Sequence, residues 1–180
     1  GTSITNRYVM SNSASMVNRN GIRCDGTIPA SPTPVTFYCD FNGNGTGNES
    51  SDGQNIACNY LNWADGCAYS DWAGLRPMTE LEFEKACRGT KTPVANEYAW
   101  GNTTISQASA VSNAGAANEN ISSGNCNYSL DWNSLVQGPI REGIFATGET
   151  NREQSGASYY GIMELSGNVW ELPVTVGNST

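Results

Sequence analysis

The sequence predicts an α+β fold of two short helices, small twisted antiparallel sheets and a high loop content. Three observations predict it. Asn, Ser, Thr and Gly fill much of the 180 residues, with hydrophobic residues at 38 % against the usual level of about 45–50 %. Such side chains close loops by bonding to nearby backbone. Two capping boxes stand in mid-chain, and strand-like runs elsewhere are short. Five Trp and eight Tyr exclude a disordered chain, which is poor in aromatics. The length suits one domain, read as a loop-rich N-terminal segment over 1–55 and a core over 56–180.

Within residues 1–57 the clearest strand is Val35 to Cys39, V-T-F-Y-C. A Gly/Asn-rich loop, D-F-N-G-N-G-T-G-N-E-S-S-D, follows from Asp40 to Asp52. Asp40, Asn42, Asn44, Thr46 and Asn48 put oxygen donors at alternate positions, and Gly45 is sixth, as in an EF-hand-type calcium loop. Asp52 supplies the closing acid one residue late, and the Asn residues lower the charge. The expected affinity is modest, with a Kd of roughly 0.1–1 mM.

Asn62 caps the first helix, with Asp65 three residues on, and Gly74 stops it. Thr79 caps the second, and Glu82 completes its T-x-x-E box; Gly89 ends it. Acidic residues at its start and Lys85 and Arg88 at its end suit the helix dipole. Glu80, Glu82 and Glu84 read as a solvated face, since i and i+2 point to different sides. Residues 90–159 are again loop-like, a length that calls for function, disulfides or metal to hold it. The run Y-Y-G-I-M-E-L-S-G-N-V-W-E-L reads as short strands around a tight Gly-Asn turn.

Net charge is −8 with nine basic residues scattered along the chain, so no nucleic-acid face is expected. No run approaches the roughly 20 apolar residues of a membrane span. Six cysteines and no histidine, with no C-x-x-C, disfavour zinc and favour disulfides in an oxidising compartment. Proximity suggests pairing Cys24 with Cys39 and Cys67 with Cys87, leaving Cys58 and Cys126. Six N-x-[ST] sequons, at Asn44, Asn48, Asn102, Asn120, Asn127 and Asn178, read as surface loops.

Three segments resemble the formylglycine-generating-enzyme (sulfatase-modifying-factor) family: Asn62 to Gly89, Tyr98-Ala99-Trp100-Gly101, and G-I-M-E-L-S-G-N-V-W-E-L from Gly161 to Leu172. The resemblance implies the family's C-type-lectin-like fold over about residues 56–172. It also implies calcium at Glu164, Gly167, Val169 and Glu171, where carboxylates and backbone carbonyls suit a hard cation. A weaker second set maps to Asn118, Glu119, Asp131 and Asn133. Trp63, Trp72, Trp100 and Trp170 lie inside the motifs and are read as core; Trp132 lies outside them and is the candidate for stacking a ligand.

Active relatives carry an R-G-G-S-W stretch and a copper-binding cysteine pair, which are not found in this sequence. The chain ends before that segment and resembles the middle of a family domain. No catalytic residue and no copper are therefore expected in this chain. A histidine-held iron site is excluded by composition. The resulting expectation is a calcium- and disulfide-stabilised, lectin-like binding or structural module. It would be extracellular or cell-surface, with a protein or glycan ligand. One alternative is a fragment of a formylglycine-generating-type oxidase acting on protein cysteine. Another is part of a larger surface adhesin or envelope assembly.

Overall fold

The computed structural model describes residues 2–3, 7–24, 27–28, 34–128 and 135–177. Asp131, Trp132, Asn133 and the sequon at Asn178 lie outside them. The chain forms two compact units, each assembled from three separate stretches. Unit 1 takes Gly1–Tyr60, Ser109–Ser122 and Ser129–Glu142. Unit 2 takes Leu61–Ala108, Ser123–Tyr128 and Gly143–Thr180.

Unit 1 holds three two-stranded antiparallel ladders. β1 (Thr2–Ser3) pairs with β3 (Thr27–Ile28), and β2 (Ile22–Cys24) pairs with β4 (Phe37–Cys39). β5 (Val111–Ser112) pairs with β6 (Asn120–Ile121). The V-T-F-Y-C run thus supplies β4 at its C-terminal end. Its core is unusually polar. Tyr8, Cys24, Val136 and Ile140 are buried beside Asn20, Asp40, Asp52 and Glu119. Buried charge is tolerable only when paired, and arginines answer two of the three acids. Arg23 Nη1 lies 2.7 Å from Asp40 Oδ2, and Arg19 Nη2 lies against Glu119 Oε2. Glu119 also accepts the backbone N–H of Gly115 at 2.8 Å and of Arg141 at 3.1 Å.

Unit 2 carries α1 (Trp63–Trp72) and α2 (Glu80–Arg88), and both expected capping boxes are formed. Asn62 Oδ1 accepts from Asp65 N at 3.0 Å, and Thr79 Oγ1 accepts from Glu82 N at 3.2 Å. Arg76 clamps the Glu82 carboxylate from outside. Gly89 stops α2 at φ 68°, and a Cβ there would lie 2.1 Å from the Tyr159 ring. Only glycine meets both demands. The compact part of unit 2 is Trp100, Ala99, Ala108, Cys126, Ile144, Phe145 and Ala157. Trp100 Nε1 donates to Thr104 O at 2.8 Å, which satisfies the indole in that dry setting.

Two expectations are corrected here. Of the motif tryptophans only Trp100 is core; Trp63, Trp72 and Trp170 are 48 %, 81 % and 94 % exposed. Neither helix contains a fully buried residue; Phe83, Ala86 and Cys87 of α2 are half-buried. The run from Tyr159 to Leu172 forms turns and not strands. Gly161, Glu164, Gly167 and Asn168 all have φ between 58° and 101°. Four left-handed residues in eight break any extended run.

Removing a cap should act locally and measurably. Thr79→Ala deletes the acceptor for Glu82 N and is expected to lower stability by about 1 kcal/mol. Urea unfolding should show the midpoint falling with an unchanged slope.

Candidate functional site

The turn 161–172 docks on residues 126–127, and the sequence makes that approach feasible. Asn168 N donates to Asn127 O at 2.8 Å, and Cys126 Sγ donates to Ser166 O at 2.9 Å. A Cβ on Gly167 would lie 2.4 Å from Cys126 Sγ, so the turn closes because that residue has none. Ser166 Oγ accepts from Ala99 N at 3.0 Å and ties in the Tyr-Ala-Trp-Gly segment. The Glu164 carboxylate accepts Gly143 N through both oxygens, at 3.2 and 3.1 Å. Glu171 is exposed and Val169 half-buried.

Of the residues expected to hold calcium here, Gly167 packs against the Cys126 thiol. Burial, then Glu164, then Glu171 push that thiol up to about 12. Cys87 is pushed up to about 11 by burial, with Glu84 and Glu171 adding and Arg88 opposing. Sequence reading left Cys126 aside as a spare cysteine, and nothing in its local pattern points to this position.

The weaker set is divided. Asn118 is exposed, while the Glu119 carboxylate is wholly engaged by Arg19, Gly115 N and Arg141 N. The Glu119 carbonyl, the expected ligand atom, accepts Arg141 Nε at 3.1 Å. Its other expected members, Asp131 and Asn133, are not among the described residues.

The loop 40–52 is closed by its own side chains. Gly45 N donates to Asp40 Oδ2 at 3.2 Å, and Tyr8 Oη donates to Asp40 O. Asn42 Oδ1 accepts from Asn44 N, and Asn44 Oδ1 accepts from Thr46 N. Asn48 Oδ1 accepts from Cys39 N, which fastens the loop to β4. Asp52 Oδ2 accepts from Glu49 N at 2.7 Å. Among the described residues no three His, Cys, Asp or Glu side chains form a metal-holding cluster. Any cation bound here or at 164–171 therefore draws on amide or carbonyl oxygens too.

Neither expected disulfide is closed. Cys39, Cys67 and Cys87 are thiols in the structure. In the β2–β4 ladder Cys24 faces Phe37 and Cys39 faces Ile22. The two cysteines are thus diagonal neighbours, about 7–8 Å apart, beyond the reach of about 7 Å between Cα atoms that a disulfide tolerates. Helices α1 and α2 share no Cα pair within 8 Å. Cys67 and Cys87 are accordingly out of reach, although their helices are consecutive in sequence.

Sequence reading also missed Arg152. Its guanidinium donates to the carbonyls of Ala99 at 2.7 Å and Ala157 at 3.3 Å, and it lines a cavity of about 520 Å³ with Cys87, Arg88 and Glu97. An arginine in a featureless loop carries no sequence signal for such a place.

The model of the sulfatase-modifying factor enzyme 1-like domain matches residues 6–176, nearly the whole chain. The chain belongs to this family. The formylglycine-generating-enzyme relationship is thus wider than the three motifs, reaching upstream to residue 6. Its α+β, C-type-lectin-like fold agrees with the two helices and small antiparallel ladders described above. Among curated relatives, the formylglycine-generating enzyme of Thermomonospora curvata is 30 % identical over 129 residues, covering 71 % of this chain. The aligned part is 36 % of that relative, so the chain spans about a third of its length. No solved structure matches the chain.

The thiols give a pH-dependent test. Thiolate is the reactive form, so Cys126 and Cys87 should resist iodoacetamide at pH 8 in the folded protein and react on unfolding, with exposed Cys58 modified first. Their folded values stand above the ordinary 9.0. Above pH 9 the unfolded chain therefore holds fewer protons than the native one, and stability falls as pH rises. Thermal midpoints should hold steady up to pH 9 and drop between pH 9 and about 11.

Proposed function

We propose that this chain carries the helix-and-turn portion of a formylglycine-generating-type protein, one that oxidises a cysteine of a client polypeptide to formylglycine. The observation that carries this reading is the family match over residues 6–176, joined by the 30 % identity to a formylglycine-generating enzyme. Both favour the oxidase alternative over the lectin-like binding module that composition suggested.

In this reading the chain is scaffold and not the oxidant. The sequence lacks the R-G-G-S-W stretch and the cysteine pair that active relatives use for copper. The scaffold's own metal would be calcium at Glu164, Gly167, Val169 and Glu171. The donor chemistry suits it, since two carboxylates share one turn with backbone carbonyls. Calcium there would tie the turn to residues 126–127 without entering the chemistry.

The test uses the protein at its natural length, loaded with copper and given a cysteine-containing client peptide, with aldehyde captured by a hydrazide reagent. Aldehyde formation that depends on the client cysteine is the expected result. A copper-loaded protein that forms none, yet binds on a glycan array, would overturn this reading in favour of the binding module.

A further inference from the structure

Among the described residues of unit 1 three acidic side chains are fully buried: Asp40 at 0 %, Asp52 at 1 % and Glu119 at 1 % exposure. Asp40 has Arg23, and Glu119 has Arg19. Among the described residues Asp52 has no ion pair. One of its oxygens, Oδ2, accepts Glu49 N. The other, Oδ1, is buried and has no hydrogen-bond partner. A buried acceptor left unmade costs about 1–3 kcal/mol, and more when charged. Native structures normally account for such an atom with a bound water or ion.

That atom belongs to a carboxylate tied by its other oxygen to Glu49 N, within the same oxygen-rich loop. The Tyr8 phenol donates to the Asp40 carbonyl at 3.2 Å and fastens the start of that loop. The amide nitrogens of Asn42 and Asn44 are spent on the Glu49 carboxylate, and their oxygens turn to the loop backbone. Asp40 is paired with Arg23, and among the described residues neither Glu49 nor Asp52 has an ion pair. Every side-chain donor is oxygen, in a D-x-N-x-N-G-T order that supplies ligands at the first, third, fifth and seventh positions of a calcium loop.

We propose that the loop from Asp40 to Asp52 binds one calcium ion, with Asp52 Oδ1 as its closing ligand and Asp40, Asn42, Asn44 and Thr46 completing the oxygen set. The ion neutralises the buried acid that lacks an arginine. It holds the loop against β4, where Asn48 fastens it. Asp52 stands one residue later than the closing Glu of an EF-hand and is a methylene shorter. The site is accordingly in the millimolar class of extracellular modules. The proposal is independent of the cysteine-oxidising reading and of calcium at Glu164 and Glu171.

Calorimetric titration of the whole chain with calcium chloride tests it. Wild type should take up one ion at this loop with a Kd of about 0.1–1 mM. Asp52→Asn should weaken it at least tenfold. Asn42→Ala with Asn44→Ala, both at exposed positions, should weaken it as well. Glu171→Gln should leave this uptake intact. If Asp52→Asn fails to fold, the double Asn variant decides the matter. Uptake unchanged in the loop variants, uptake abolished wholly by Glu171→Gln, or no uptake by wild type at 10 mM (about ten times the weakest Kd in that range) would each overturn the site.

Discussion

Glu119 is the constraint on which unit 1 depends. Its carboxylate receives Arg19, Gly115 N and Arg141 N, and its carbonyl receives Arg141 Nε. Arg19 Nε also reaches the Pro139 carbonyl at 2.6 Å. One acidic side chain thus joins three stretches of chain that share little regular structure. Breaking a buried pair by deleting one partner typically costs about 3–5 kcal/mol, since the other charge is stranded. With so few apolar side chains inside unit 1, specific polar geometry takes over the task that a hydrophobic core performs elsewhere.

Unit 2 solves the same problem with different means. Arg152 spans carbonyls of Ala99, Ala157 and Cys87, again a charged group satisfying loop backbone. The turn 161–172 is seated by backbone contacts on residues 126–127 and by Ser166. These links give loop carbonyls in a nearly ladder-free unit their hydrogen-bond partners.

What was legible in the sequence was local. Asn62 and Thr79 announced both helices because a cap is a contact between residues three apart. The Gly/Asn-rich stretch from Asp40 to Asp52 was legible as a loop for the same reason. The family motifs added the fold, which no periodicity in this chain reveals. What stayed hidden depends on distant partners. The Arg19–Glu119 pair, the place of Cys126 under Gly167, and the role of Arg152 leave no trace in neighbouring residues. Cysteine proximity in sequence misled, because strand register and helix separation decide whether Sγ atoms meet. The tryptophans misled through composition, because an apolar residue in a motif does not reveal which side of its helix is covered.

The span between Arg19 and Glu119, 100 residues, bears on how the chain is made. At about 5–20 residues per second on the ribosome, Arg19 waits roughly 5–20 seconds for its acid to be synthesised. Residues 61–108 are translated in that interval, and they belong to unit 2. The N-terminal sixty residues therefore emerge with polar groups that have no partner yet, and vectorial synthesis cannot finish unit 1 before most of unit 2 is out. A nascent chain of this design is exposed early and completed late.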